Sequence, residues 1–540
     1  MGFHLTLFLV LVSLPVILAQ EVRPAKIVVD GTKTVAEIDD NFICATVDWW
    51  PRDKCDYKQC PWGNASVINL DLSHPLLAKA IQAFKQLRIR IGGSLQDRVL
   101  YNVGNLRSPC HPFQKMNDGL FGFSKGCLYM RRWDELNQFF SKTGAIVTFG
   151  LNALYGRRKI KGITWGGDWD SSNAENLMKY TLSKGYQIDS WEFGNELSGS
   201  GVGARVGAEQ YGKDVIKLKG FMNELYKKSI LKPSLIAPGG FFHQEWYTKL
   251  LQVSGSSVVN VVTHHLYDLG AGDDPNLISR IMDPSHLSKT TETFSNLQKT
   301  VQKDGPWASA WVGESGGAYN SGGHNVSDTF VNSFWYLDEL AMASKYNTKV
   351  YCRQTLIGGN YGLLNTNTFV PRPDYYSALL WHRLMGKGVL AVDTSASPYL
   401  RSYAHCSKGR AGITLLLINL SNHTDFIINV ENHMNANLPA NERKIQTESH
   451  FTRSLKKTVA WVGRKASDGP LYREEYHLTP KDGHLQSATS VLNGIPLVLT
   501  DAGEVPKLNP ILNSVKSPLY IAPLSIAFVV LPNFDAPACV

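Results

Sequence analysis

Between residues 42 and 390 the chain repeats one unit eight times, a short continuously apolar run followed by a longer stretch with helical spacing. The runs are Phe42–Asp48, Leu87–Ile91, Ala145–Leu151, Asp189–Gly194, Ser234–Ala237, Val258–His264, Ala308–Gly313 and Lys349–Gln354. A strand apolar on both faces is buried on both sides, which is the situation of a parallel strand covered by helices. The intervening segments, for example Ser73–Leu87 and Ala208–Lys228, have the amphipathic spacing of helices. Eight β–α units over about 350 residues predict a (β/α)8 TIM barrel with inserted loops, an α/β fold.

The pattern changes after about residue 390. Val389–Val392, Leu400–Ala404, Ile413–Ile418, Phe426–Val430, Lys456–Val462, Glu475–Leu478, Pro496–Leu499 and Ile526–Leu531 read as short strands punctuated by Gly, Pro, Asn, Asp and Ser. No helical stretch intervenes, so an attached all-β sandwich is expected. Residues 25–40 carry a strand–turn–strand pattern before the first barrel strand and are expected to join that sheet. The resulting division is a barrel over 42–390 and a sandwich built from 23–41 plus 391–540.

Residues 5–18 form an uncharged apolar run, too short to span a membrane comfortably, and residues 1–19 read as a secretory signal peptide cut near Ala19 or Gln20. Glycosylation sequons begin at Asn64, Asn325, Asn419 and Asn422. The chain has 8 Cys, which suits an oxidising compartment. Cys110–Cys127 and Cys406–Cys539 are candidate bridges, although sequence does not fix connectivity. Cys352, inside a strand-like run, reads as a free buried thiol. Cys55 and Cys60 lack the additional Cys/His pairs of a zinc site. The expected destination is extracellular or cell wall, with a lysosome or vacuole as the alternative and at most peripheral membrane association. The formal net charge of +9 is dispersed, with no basic tail and no nucleic-acid motif, so nucleic acid is not an expected partner. No cofactor or metal motif is present.

Two glutamates share a context. Trp191-Glu192-Phe193-Gly194-Asn195-Glu196 and Ala310-Trp311-Val312-Gly313-Glu314-Ser315-Gly316-Gly317 each end an apolar strand in Gly and an acid. Glu196 and Glu314 fall at the C-terminal ends of the fourth and seventh strands, where barrel chemistry is located. A carboxylate pair suits glycosidic cleavage: one acid protonates the leaving oxygen, and in a retaining enzyme the other attacks the anomeric carbon. Asn195 offers an amide to a sugar hydroxyl. Glu192, within its strand, reads as structural. Gly313-Glu314-Ser315-Gly316-Gly317 also fits the Gly-x-Ser-x-Gly elbow, but that elbow needs a helix directly after the Ser, and here Gly, Asn and Ser continue. His264 and His265 are adjacent on a strand, so they point to opposite faces and do not share a metal.

At these motifs the sequence resembles the heparanase-like glycoside hydrolases, family 79, and most of all their plant members. Arg90–Gly93 (RIGG), Phe149–Leu154 (FGLNAL), WEFGNE, Thr263–Tyr267 (THHLY), VGESGGAY and Gly358–Leu363 (GGNYGL) match in order. The resemblance covers nearly the whole mature chain, including a Cys406–Cys539 pairing. It implies that Glu196 is the proton donor and Glu314 the nucleophile of a retaining mechanism, with no cofactor. It implies that Tyr267 orients the nucleophile, that Arg90 supports it, and that Asp48 and His265 contact the sugar. Tyr319 and the Gly359-Asn360-Tyr361 turn would hold the substrate carboxylate, since N–H groups and phenols are donors suited to an anion.

The chain departs from the animal pattern at Trp49-Trp50-Pro51, at Asn320-Ser321-Gly322 and in a shorter 98–144 segment, so a single chain is expected. Bulky Trp at the cleft would close subsites and favour removal of terminal glucuronic acid. The expected activity is an exo-β-glucuronidase on glycoprotein glycans or glucuronide conjugates. The alternatives are an endo-β-glucuronidase on heparan sulfate-like polymers and an inactive glycan-binding protein.

Overall fold

The computed structural model describes residues 21–106, 108–433 and 471–539. The signal-peptide segment and the expected strand Lys456–Val462 lie outside the described residues.

Eight parallel strands close into a barrel: β1 (Ile43–Val47), β2 (Arg88–Ile91), β3 (Ile146–Leu151), β4 (Ser190–Phe193), β5 (Ser234–Phe241), β6 (Val261–Leu266), β7 (Ser309–Ser315) and β8 (Thr348–Arg353). Each overlaps one of the eight apolar runs. A principal helix follows every strand, from Pro75–Gln82 after β1 to Asn332–Lys345 after β7 and Pro373–Leu384 after β8. The first helix is shorter than its periodicity suggests, stopping at Gln82 before Lys85 at φ +63°.

The barrel interior changes character along its axis. Its lower part holds Ile236, Trp311 and Val350 with the Cys44–Cys352 bridge, and the Arg88 guanidinium stacks 4.6 Å over Trp311. One layer higher it becomes polar, with Arg90, Glu192 and Thr263 joined by hydrogen bonds. A usual barrel core is filled by branched aliphatics; charge at this depth persists only because each member is paired.

The C-terminal strands form one 11-stranded sheet with the N-terminal strand Glu21–Glu37. That strand runs antiparallel to Met385–Thr394 and parallel to Thr424–Asn432. The strand–turn–strand pattern of 25–40 is realised as a single strand that joins this sheet. Both halves pair with the same neighbour, so Gly31-Thr32-Lys33 loops out as a register shift between Asp30 and Thr34. A side chain at Gly31 would come within 2.8 Å of the Asp535 carbonyl oxygen. The sheet curls so that one end packs over its middle: Ile27, Phe426 and Ile521 share a core with Leu415, Leu417 and Val529. The alternate residues Leu416, Ile418, Phe528 and Val530 belong instead to the barrel's core, so period-two alternation lets two strands serve two cores.

The sheet covers helix Asn332–Lys345, which is buried over nearly its whole length. Arg401 grips Asp338 with two bonds of 2.8 and 3.0 Å, and the Tyr403 hydroxyl donates to the same carboxylate at 2.5 Å. The helix that follows the Glu314 strand is thereby backed by this sheet.

The cysteines pair as Cys44–Cys352, Cys55–Cys60, Cys110–Cys127 and Cys406–Cys539. Cys352 is therefore not a free thiol: β8 lies beside β1 in the closed barrel and its register places Cys352 opposite Cys44, a neighbour no linear reading shows. Asn419 also departs from expectation. It is fully buried and its amide donates to the carbonyls of Thr424, Ile521 and Ala522, so no glycan can be attached there. Asn64, Asn325 and Asn422 are exposed.

Candidate active site

The site is organised by Arg90 on β2. Its Nε donates to Glu192 Oε2 at 2.6 Å, Nη1 to Glu314 Oε2 at 2.7 Å and Nη2 to Asn195 Oδ1 at 2.8 Å. The two glycines that follow make room for it. A Cβ at Gly92 would lie 2.7 Å from the guanidinium carbon, and one at Gly93, where φ is +115°, would lie 2.3 Å from the Asp48 carboxylate.

Glu314 reaches the cleft through an irregularity of β7. The β6–β7 register slips between His264 and His265, so that His264 pairs with Val312 and His265 with Glu314. Without the extra residue Glu314 would fall on the face of Val312, toward the helices, because a one-residue shift exchanges the faces of a strand. The Tyr267 hydroxyl donates to Glu314 Oε1 at 2.7 Å, so both carboxylate oxygens are held.

Glu196 lies just past β4 with φ +54°, the left-handed region that a residue other than Gly occupies only when held. Three contacts hold it. The Asn195 N–H donates to Asp97 Oδ2 at 2.8 Å, the Glu196 N–H to the Gly239 carbonyl at 2.6 Å, and the Val202 N–H to the Glu196 carbonyl at 3.1 Å. Its Oε1 lies 3.0 Å from His265 Nδ1. Oxygens of Glu196 and Glu314 and a ring nitrogen of His265 lie within 4.8 Å of one another.

The two acids are pushed apart in affinity for a proton. Burial raises Glu196, and the hydrogen bond and charge of His265 offset this only in part. Burial also acts to raise Glu314, but the charges of His265 and Arg90 and the bonds from Tyr267 and Arg90 outweigh it, leaving Glu314 below the ordinary carboxylate value. Asp48 is pushed up to about 7, by burial first and by the Glu314 charge second. Its oxygens accept from the Trp49 N–H at 2.6 Å and Gln354 Nε2 at 2.9 Å.

Glu196, His265 and Glu314 are the one trio of possible metal ligands that converges among the described residues. The Arg90 guanidinium already bound to Glu314 repels a cation there, and the His265 nitrogen facing the cleft is engaged with Glu196. His264 points away, edge-on to Phe294 at 5.5 Å, with burial lowering it to about 3.

Of the residues singled out in sequence, Glu314, Arg90, Asn195 and Tyr267 form one hydrogen-bonded set, and Glu196 with His265 forms a second beside it. Asp48 joins the first through its charge, and Tyr361 adjoins it, since a Cβ at Gly316 would touch both the Tyr361 and Tyr267 rings. Tyr319 stands on the rim with 44% of its surface exposed. The backbone N–H groups of Gly359 and Asn360 are not available to an anion, because they donate to the Pro61 carbonyl at 3.2 Å and the Ser321 carbonyl at 2.7 Å. Trp49 and Trp50 are both buried, Trp50 against Trp62, Phe121 and Phe123. Ser315 is fully buried, and the chain after it runs into the short strand Ala318–Tyr319, so no nucleophile elbow exists.

Sequence reasoning missed Asp97 and Gln354. Asp97 accepts from the Ala153 and Asn195 N–H groups and is raised to about 7 by burial. Gln354 binds both Asp48 and Thr46. Neither lies in a Gly-acid context, and the strand ends they join are distant in sequence.

The profile of "Glycosyl hydrolase family 79, N-terminal domain" matches residues 24–341. The "Heparanase-like protein 1" of Arabidopsis thaliana is 65% identical over 523 residues, 97% of this chain and 96% of that protein. The chain belongs to glycosyl hydrolase family 79. Another relative of this family member is the "Baicalin-beta-D-glucuronidase" of Scutellaria baicalensis, 41% identical over 514 residues, 92% of this chain and 90% of that one. Among solved structures, a 4-O-alpha-L-rhamnosyl-beta-D-glucuronidase from Fusarium oxysporum superposes with a TM-score of 0.62 at 14% identity, covering 94% of this chain and 100% of that one. That likeness shows a shared fold. As a family 79 protein, the chain is a glycoside hydrolase.

Proposed function

We propose that the protein is a retaining β-glucuronidase that removes terminal β-linked glucuronic acid, with Glu196 as proton donor and Glu314 as nucleophile. The observation that carries this is the close pair of acids, with one oxygen of each within 4.8 Å of the other, Glu314 bound by the Arg90 guanidinium and Glu196 by the His265 imidazole. Retaining enzymes hold their carboxyls about 5–5.5 Å apart, whereas inverting ones need about 6.5–9.5 Å to admit a water between acid and sugar. Two acids whose surroundings drive their pKa values apart have their acid and base roles assigned by those surroundings.

In the first step Glu196 gives its proton to the glycosidic oxygen, the C1–O bond breaks and a Glu314 oxygen bonds to C1. In the second, Glu196 takes a proton from water, the water oxygen attacks C1 and the ester to Glu314 breaks. Arg90 and Tyr267 keep Glu314 ionised and aimed. Arg90 also occupies the Asn195 carbonyl oxygen, which turns the amide nitrogen of Asn195 toward donating to a sugar hydroxyl. With the Gly359 and Asn360 amides committed elsewhere, recognition of the substrate carboxylate falls to Tyr361 and Tyr319. The Scutellaria relative, named for a β-D-glucuronide, supports that substrate class. Four disulfides and three exposed sequons support a secreted protein or one delivered to a lysosome or vacuole.

The test is release of phenol from an aryl β-D-glucuronide beside the β-D-glucoside, with the first-formed anomer followed by NMR. Hydrolysis of the glucuronide alone, giving the β-anomer first, is expected. A first-formed α-anomer overturns retention. Chain-shortening of a heparan polymer without turnover of the aryl glucuronide moves the assignment to an endo-enzyme.

A further inference from the structure

Phe241, the last residue of β5, is the one phenylalanine among the described residues with more than a third of its surface exposed, 39%. It stands inside the active site. Its ring centroid lies 6.4 Å from that of His265, which binds Glu196, and 6.3 Å from that of Tyr267, which binds Glu314. No step of the hydrolysis uses it.

The strand is built to put it there. The β5–β6 register slips between Ala237 and Gly240, so that Gly240 pairs with His264 and Phe241 with His265. Without the extra residue Phe241 would pair with Leu266 and turn to the face of His264, away from the cleft. Phe242 takes the opposite side, edge-on to Tyr247 at 5.1 Å. The Phe241 carbonyl accepts from the Ser198 hydroxyl at 3.1 Å, and a Cβ at Gly240 would lie 3.1 Å from Glu196 Cα. The end of β5 is therefore seated against the segment that carries the proton donor.

This location meets the leaving group. β5 lies next to β4, and in the closed order of eight strands it stands opposite β1. In the glucuronidase reading Asp48, just past β1, and Tyr361, after β8, take the sugar, while Glu196 protonates the bond on the other side. The part of the substrate beyond that bond runs out toward β5.

Phe241 offers it an apolar face without a hydrogen-bonding group. The hydroxyls that reach this strand end are spent on backbone carbonyls, Ser198 on that of Phe241 and Tyr247 on those of Gly240 at 2.6 Å and Thr263 at 3.0 Å. A sugar leaving group would bring its hydroxyls to a ring that cannot bond them. A flat aromatic one would find a partner for offset or edge-on stacking.

We infer that Phe241 selects the leaving group, favouring glucuronides whose aglycone is a planar phenol of more than one ring. The inference rests on the β-glucuronidase reading and narrows its substrate to phenolic conjugates.

The experiment compares phenyl β-D-glucuronide, 2-naphthyl β-D-glucuronide and a disaccharide of glucuronic acid β-linked to galactose. The two phenols are nearly equal in acidity, so they leave with similar ease and differ by one ring of stacking area. The readout is the ratio of kcat/KM between the two aryl compounds, in which damage common to all substrates cancels. Wild type is expected to favour the naphthyl compound by about three- to tenfold, the scale of one aromatic pair. Phe241→Ala and Phe241→Leu should bring the ratio toward one, and Phe241→Tyr, which keeps the ring, should preserve it. Phe241→Ala should lose less on the disaccharide than on the naphthyl compound. A wild-type ratio near one, or a ratio unchanged in Phe241→Ala and Phe241→Leu, overturns the assignment. So does a larger loss on the disaccharide, which would make the ring a platform for sugar. Failure of wild type on all three substrates counts against the glucuronidase reading instead, so the two failures are separable.

Discussion

The acids at the ends of β4 and β7 are almost equally buried, with 7% of Glu196 and 6% of Glu314 exposed, yet their surroundings act on them in opposite directions. Glu314 is held on one oxygen by a guanidinium and on the other by a phenol. Glu196 has a single imidazole contact and a backbone fixed in the left-handed region. Burial alone raises both. What separates them is that Arg90, which also binds Glu192 and Asn195 of the β4 segment, reaches the carboxylate of Glu314 and not that of Glu196. Paired carboxylates differ in role because of the charges beside them, not because of depth.

The largest break in this comparison comes from removing the acids singly. Glu314→Gln should cost about 10⁴-fold or more in kcat on every glucuronide, as expected when an attacking group is lost. Glu196→Gln should cost about 10²–10⁴-fold, the usual worth of a general acid. That loss should shrink on substrates with very acidic leaving phenols, whereas the Glu314→Gln loss should not. Equal losses across a leaving-group series would erase the distinction.

Arg90→Lys sharpens it. The charge stays but the fork that binds Glu192, Glu314 and Asn195 together is lost. Glu314 should then take up a proton more readily, so the acid limb of the kcat/KM profile moves to higher pH while the alkaline limb, set by Glu196, stays. Tyr267→Phe removes one bond to an ionised oxygen and should lower kcat by about 10–100-fold, with a smaller shift of the same limb.

The smallest effect is on stability. Asp48 sits at about 7 in the fold, above the ordinary carboxylate value of about 3.9. The fold favours its protonated form, so that contribution is complete below about pH 4 and is lost as pH rises through about 7. The melting temperature should fall over that window, and Asp48→Asn should make the fall shallower, with Asp97 supplying the remainder. A slope identical to wild type would show that Asp48 titrates normally.

Much of this was legible in the chain. Strands buried on both faces announce themselves as apolar runs, and a Gly-acid at a strand's end marks the top of a barrel. What stayed hidden depends on neighbours distant in sequence. Cys352 has no visible partner until β8 closes onto β1. Asn419 satisfies the sequon rule but is buried in the second sheet. The Gly359–Asn360 amides have suitable chemistry, but Pro61 and Ser321 take them first. The slip in β7 that turns Glu314 inward is a difference of one residue between two paired strands, which no single strand reveals.

The bridge between Cys44 and Cys352 joins the first barrel strand to the last, 308 residues apart. It makes most of the catalytic unit a covalent hoop, with the rim loops after β1 to β7 strung between its ends. A protease that cut one such loop would open the hoop without dividing it. The nicked enzyme would still migrate as one species until reduced, so reducing electrophoresis is needed to see damage at the rim.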